Sequence, residues 1–261
     1  MNRALNRVVI IGSGNVAEAL ARAVADCGLQ LVQLWARNEA RAQEIAGAVG
    51  CPWACRPERL AAADLYLLAV SDRAVAEVAA TLPIPCGAVV AHTAGSVPLE
   101  ALPVKFARRA VFYPLQTFTR GRRLEWLEVP IFLETSTPEL LSELETFARR
   151  LSRQVFVADS GRRAQLHLAA VFVCNFVNHM YVVGERVMKG AGLDFELLKP
   201  LIAETAAKAL AAASPAAGQT GPAVRGDLPT QQRHTAMLDD ELLRTVYLSV
   251  SRSIWETSKK I

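Results

Sequence analysis

Apolar positions along this chain follow two spacings, and the balance between them changes near residue 159. Before that point short apolar runs alternate with stretches of helical period. Residues 8–11 read as a buried strand and "VAEALARAVADCG" as a helix closed by Gly28. "LQLVQLWAR" is the next strand, "NEARAQEIAGAVG" a helix stopped by Gly50, "ADLYLLAVS" a strand, "DRAVAEVAATL" a helix and "GAVVAHTAG" a strand. The alternation loosens through "RAVFYPLQTF" and "VPIFLET", then gives a helix opened by Thr137 and Pro138 and a last strand, "RQVFVAD". Such alternation implies crossover units and a mostly parallel α/β sheet covered on both faces. Beyond residue 159 only helical spacing remains: one long apolar helix over 162–189, further helices in "FELLKPLIAETAAKALAAA", a Gly/Pro-rich break, and a closing helix to about residue 258. The expected domains are 1–159, α/β, and 160–261, all-α.

The first strand runs into Gly12-Ser13-Gly14-Asn15-Val16-Ala17, a G-x-G-x-x-A turn directly before a helix. In that context it predicts a Rossmann-like dinucleotide site, against the plainer reading of a glycine turn that serves only packing. Gly12 permits the turn, Gly14 lets a pyrophosphate approach the backbone, Ala17 lets helix and strand close up, and the helix start at Ser13, Asn15 and Val16 favours anions. About twenty residues on, where an NAD site ends its second strand on an acid, the chain reads Trp35-Ala36-Arg37-Asn38. Arg37, with Asn38 beside it, can pair with a ribose 2′-phosphate, so NADP(H) is the expected cofactor; the alternative is a solvated loop charge. Val70, Ser71 and Thr93 follow later strands, at the ends where such sheets bind ligands. Ser71, Asp72 and Ser96 serve equally well as helix N-caps.

Composition narrows the function classes. The chain is 52% hydrophobic and 21% charged, as a folded chain should be. Its net charge of +4 is spread along the sequence without interleaved aromatics, which suits small anionic ligands better than nucleic acid. Five unpatterned cysteines fit a reduced, cytoplasmic chain, and the Cys51/Cys55 pair lacks a second pair of ligands, so no metal is expected. The first apolar run is too short for a secretion signal. "LHLAAVFVCNFVNHMYVVG" nearly reaches membrane-spanning length, but Asn175, Asn178 and His179 interrupt it, so a buried helix and no membrane association are expected.

At about 100° per residue, His167, Asn175, Asn178 and Glu185 fall on one polar stripe of that helix, facing either a ligand cleft or partners in the core; His179 points away. In "GPAVRGDLPTQQRH" the i, i+3, i+7 spacing puts Asp227, Thr230 and His234 on one helical face, with Arg225 just before it. Arg225 could hold an anionic group and His234 donate a proton; equally, Asp227 could be a helix cap with Arg225 paired to it at the surface. Gln116, after a late strand, is a further candidate for lining a cleft.

"VVIIGSGNVA", "LLAVSD", "AHTAG", "YPLQTF", "HLAAVFVCNFVNH" and "GPAVRGDLPTQQRH" together resemble, over nearly the whole chain, a bacterial family that joins a Rossmann-like domain to a helical domain of unknown function. That family is similar to pyrroline-5-carboxylate reductase, ketopantoate reductase and the deazaflavin-dependent NADP oxidoreductases. The resemblance implies NADP(H) as cofactor, a helical domain like the C-terminal part of 6-phosphogluconate dehydrogenase, and a homodimer. Enzymes of this layout often carry a lysine four residues before an asparagine on the first interdomain helix. Asn175 matches the asparagine, but Val171 stands at the lysine position, with His167 one turn earlier.

The expectation is therefore an NADP-dependent oxidoreductase that reduces a small, anionic carbonyl or imine compound between its domains, with His167, Asn175, Arg225, Asp227, His234 and Gln116 on the substrate side. The alternative, motivated by the missing lysine, is a dinucleotide-binding sensor or scaffold without turnover. Apolar faces in excess of what roughly one hundred residues can bury point to a homodimer through the helical domain.

Overall fold

The computed structural model describes residues 4–260, which divide into two compact units, one ending at Asn175 and the other beginning at Phe176. In the first, eight strands form a single sheet: β1 (Arg7–Ile11), β2 (Gln30–Trp35), β3 (Trp53–Ala54), β4 (Leu65–Leu68), β5 (Val89–His92), β6 (Arg109–Pro114), β7 (Ile131–Thr135) and β8 (Val155–Val157). Their order across the sheet is β3-β2-β1-β4-β5-β6-β7-β8, and every pair is parallel except β6 with β7. The order reverses direction between β1 and β4, the place where a sheet of this class opens a crevice at its carboxyl edge. The expected mostly parallel, Rossmann-like sheet is what forms.

The apolar runs are continuous because both sheet faces are covered. Val8 and Ile10 enter one core with Leu65, Leu67 and Val89, while Val9 and Ile11 enter the other with Tyr66, Leu68 and Val90. Helices α1 (Asn15–Asp26), α2 (Glu39–Val49) and α4 (Pro138–Ala148) press buried residues into the first core, and α3 (Val75–Thr81) into the second.

The last strand hands over to a helix capped by Asp159, whose carboxylate accepts the Arg162 N–H at 2.8 Å. This helix runs from Ser160 to Gly190 as α5 (Ser160–Ala170), a π-helical stretch (Val171–Phe176) and α6 (Val177–Gly190). Two expectations are corrected here. The polar stripe assumed an unbroken 100° step, and the wider π turn shifts the phase between His167 and the residues beyond it. The helix is also not buried within the chain: its apolar window has none of its residues buried, with Leu168 and Phe172 each 59% exposed. By length and hydropathy alone it could cross a membrane.

The second unit continues with α7 (Lys199–Ala211), α8 (Leu228–Ala236) and α9 (Glu241–Ser258). Gly226 takes a left-handed turn (φ +65°) against the Trp255 ring, and His234 Nδ1 lies 2.8 Å from the Tyr247 hydroxyl.

One buried ion pair ties α5 to the sheet. Arg163 is 1% exposed; its guanidinium donates to Glu134 on β7, to the Val97 carbonyl beyond β5 and to Ser160 Oγ. Ser160 in turn receives the Leu99 N–H and donates to Glu134. Breaking such a pair strands a charge, which costs about 3–5 kcal/mol when the site is sealed. Arg163→Met should lower unfolding free energy toward the low end of that range, since Glu134 keeps some exposure, measured as a fall in the urea midpoint at unchanged slope.

Candidate functional site

The glycine turn is built from backbone constraints. Gly12 has φ +136°, a conformation that side chains disfavour, and a Cβ there would collide with the Ala69 carbonyl at the end of β4; its own N–H donates to the Trp35 carbonyl at 2.8 Å. Gly12 is thus required by the turn. Gly14, the residue before α1, faces open space: a Cβ there would meet no atom within 4 Å. No side chain caps α1, so its first N–H groups keep no side-chain acceptor. A phosphate fits this arrangement, because the open side of Gly14 and the positive end of α1 coincide.

A cleft of about 1030 Å³ extends from this turn and lies wholly in the first unit. One wall is residues 12–16 with Arg37 and Asn38 after β2; a second is Val70 and Ser71 after β4; a third is Tyr113 with residues 115–118 after β6; and the last is the α5 face, with Leu166, His167, Ala170, Val173 and Asn175. Twelve of the sequence-predicted residues therefore share one cavity: Gly12, Ser13, Gly14, Asn15, Val16, Arg37, Asn38, Val70, Ser71, Gln116, His167 and Asn175.

Several have further duties. Asn38 caps α2 by accepting the Arg41 N–H at 3.1 Å, and Asn15 donates its amide to the Phe118 carbonyl at 2.9 Å, pinning the β6–β7 loop over the turn. Arg37 is 70% exposed, with only Glu77 nearby at 4.0 Å, a surface pair of small energy. Ser71 makes no capping bond, and Asp72 instead accepts the Ser96 hydroxyl.

Thr93 is placed differently from the expectation. It is buried, its hydroxyl donates to the Leu68 carbonyl at 3.3 Å, and it does not line the cleft. Arg225, Asp227 and His234 belong to the second unit. There Asp227 caps α8 rather than lying on its face: the carboxylate accepts the Thr230 N–H at 3.1 Å, and the bonds from Thr230 hold its carboxyl below the usual range. Arg225 is exposed and, among the described residues, forms no ion pair, so the anticipated pairing with Asp227 does not occur.

Two features escaped the sequence reading. Glu18 is buried on α1 and joined to Arg22, to Arg41 and to the Gly121 N–H; burial alone would raise its carboxyl, but the arginine bonds overcome this and hold it low. A carboxylate on the inward face of an otherwise apolar helix, one turn before Arg22, was the available signal. Tyr113 reads as strand core, yet its hydroxyl lies 3.1 Å from His167 Nδ1 in the cleft.

His92, at the end of β5, is fully buried; its Nδ1 accepts the Ala94 N–H at 3.3 Å. Burial first, and the Arg163 charge second, lower its pKa to about 4, partly offset by the Pro98 carbonyl and Asp72. The native state thus resists a proton that the unfolded chain accepts from pH 6.5 downward. Acidification from pH 7 to pH 4 should therefore remove about 3 kcal/mol of stability through this residue alone. His92→Asn should flatten that part of the stability–pH curve relative to the unsubstituted protein, whatever it does to stability at pH 7.

Comparison with known proteins agrees with this architecture. Residues 7–94 match a family described as NADP oxidoreductase, coenzyme F420-dependent, and residues 129–254 match a domain of unknown function (DUF2520). The chain is similar to the crystal structure of a candidate NADP oxidoreductase from Bacteroides fragilis, at 38% identity and a TM-score of 0.91, covering 96% of this chain and 98% of that one. A protein from Thermotoga maritima shares 22% identity, with a TM-score of 0.77 over 95% of this chain and 99% of the other. The fold also matches an imine reductase from Myxococcus stipitatus in complex with NADP+, at 13% identity and a TM-score of 0.66, over 97% and 93% of the two chains. No curated protein matches the sequence.

Proposed function

The chain belongs to the NADP oxidoreductase family represented by the Bacteroides fragilis protein, and from that membership we propose that it reduces a small carbonyl or imine compound with NADPH. The observation that carries this reading is the single cleft that joins the open, uncapped glycine turn and Arg37 to the polar groups Gln116, His167 and Asn175. We assign Gly12, Ser13, Gly14, Asn15 and Val16 to the pyrophosphate, Arg37 and Asn38 to the 2′-phosphate, and Val70, Ser71 and Thr93 to the strand ends beside the rest of the cofactor, Thr93 acting through the backbone it braces. NADPH, when bound, supplies a hydride to the electrophilic carbon, and one solvent proton completes the reduction. The protein's own work is orientation and charge stabilisation.

In this reading residues 1–159 hold the cofactor, and residues 160–261 serve substrate binding and dimerisation. The only charged side chain among the described residues lining the cleft is Arg37, so anchoring a substrate carboxylate falls to Arg225, with Asp227 ordering its loop and His234 nearby in sequence. The five free cysteines suit a reducing cytoplasm, and neither nucleic acid nor membrane is part of the proposal. A second copy of the chain is the cover for the apolar helices, on which Leu168, Phe172, Phe176, Leu201 and Leu248 are each at least half exposed. A non-catalytic, dinucleotide-sensing role is the second reading, favoured by Val171 where related layouts carry lysine.

Screening NADPH oxidation against small keto acids, aldehydes and imines separates the two: turnover of any member supports the reductase, and binding without turnover across the panel supports the sensor. In calorimetric titration NADP(H) should bind more tightly than NAD(H). Arg37→Asp should weaken NADP(H) by about 1.5–3 kcal/mol and NAD(H) much less, the worth of a charge-assisted pair. Gly14→Val should abolish both, because the side chain occupies the pyrophosphate's space. Light scattering should give twice the monomer mass at micromolar concentration; a monomer would overturn the dimer.

A further inference from the structure

Three separate segments meet at one point of the cleft. Tyr113 comes from the end of β6, His167 from α5, and Gly95 from the turn after β5. The two rings stand edge to face, with centroids 6.1 Å apart, and the Tyr113 hydroxyl is 3.1 Å from His167 Nδ1. Gly95 is where the pair rests: a Cβ there would lie 2.7 Å from both His167 Nδ1 and Tyr113 Cζ. The glycine of "AHTAG" is therefore required by this pair rather than by its backbone conformation.

The direction of the Tyr113–His167 bond follows from what each group lacks. Among the described residues the Tyr113 hydroxyl has no other hydrogen-bond partner, and an O–H left without an acceptor in a site only 8% exposed is costly. Burial, with a smaller push from Asp72 against a pull from Arg163, raises the phenol's pKa, so it keeps its proton. A hydroxyl that donates to Nδ1 leaves the neutral imidazole's one proton on Nε2. Nε2 has no partner within the chain among the described residues, and His167 lines the cleft.

We propose that Tyr113 and Gly95 are positioning residues that hold His167 in its Nε2–H form, so that Nε2–H is the hydrogen-bond donor to the oxygen or nitrogen of the substrate's C=O or C=N group. This rests on the reading of the cleft as a reductase site. The neighbouring wall, Leu166, Ala170 and Val173, is apolar, so the acceptor it suits is an uncharged carbonyl or imine with hydrocarbon on that side. A neutral imidazole donor polarises such a group without carrying a net charge into the cleft. The role is donation of a hydrogen bond, and no proton transfer is assigned to the pair.

The test uses the full chain labelled with 15N-histidine, its four histidines assigned by substitution, in long-range 1H–15N spectra at a pH where all are neutral. His167 in the unsubstituted protein should show Nδ1 as the unprotonated and Nε2 as the protonated nitrogen. Tyr113→Phe keeps the ring but removes the donor, and Gly95→Ala pushes the rings apart; each should move both His167 nitrogens toward the average of two tautomers. With NADP+ present, at least one member of a panel of small ketones, aldehydes and cyclic imines should shift the Nε2–H signal of His167 alone. A protonated Nδ1 in the unsubstituted protein, an unchanged tautomer in Tyr113→Phe, or a panel that leaves Nε2–H unmoved would each overturn the proposal. NADPH fluorescence titration of the same samples keeps the two readings apart. Binding of NADPH with the wrong tautomer rejects the positioning role alone, and the expected tautomer without NADPH binding rejects the cofactor reading.

Discussion

The approach of the Gly12 backbone to the Ala69 carbonyl is the constraint from which the cofactor side of the molecule follows. Because no side chain can stand between them, the end of β1 lies directly against the end of β4. The turn is then tight enough to launch α1 without a capping side chain. That leaves an open face at Gly14 on the same side as Arg37. Had the turn been looser, a serine or asparagine could have closed the helix end, and the anion-binding character would have been consumed internally.

A second layer of support fixes the loop that roofs this turn. Asn15 holds the Phe118 carbonyl, and Glu18, one turn along α1, holds the Gly121 N–H while also binding Arg22 and Arg41. Arg41 and Arg120 meet again at Glu44 on α2. Residues 115–118 therefore enter the cleft from a loop tied to the two helices flanking β1 and β2. On the opposite side, Arg163 ties the first turn of α5 to Glu134 and Val97, and His167 follows one turn later. Both walls of the cleft are thus held by buried or half-buried charges rather than by apolar packing alone.

Much of this was legible in the sequence where the physics is local. The glycine turn, the strand ends and the two-face burial of runs such as residues 65–68 follow from neighbours in the chain, and twelve predicted residues share one cavity. What failed depended on partners far away or on helix phase. Thr93 turns inward because Leu68, on the adjacent strand, offers a carbonyl. Tyr113 looked like core because nothing near it in sequence announces His167, fifty-four positions later. Asp227 was placed one position too far into its helix, which turned a cap into a face. The burial expected of residues 160–190 was a property of composition, and the chain by itself does not supply the atoms to cover them.

The π segment at Val171–Phe176 has a consequence for chain length rather than for residue identity. A π turn is an α-helix that has accommodated one residue too many. Removing any one residue there would let the helix close into regular turns and swing every later side chain of α6 by about 100° around the axis relative to His167. The segment is therefore tolerant of changes in what its residues are and intolerant of changes in how many there are. A single-codon deletion between positions 171 and 176 would disturb the chain more than several substitutions at the same positions, even though the deleted form would have the more ordinary helix.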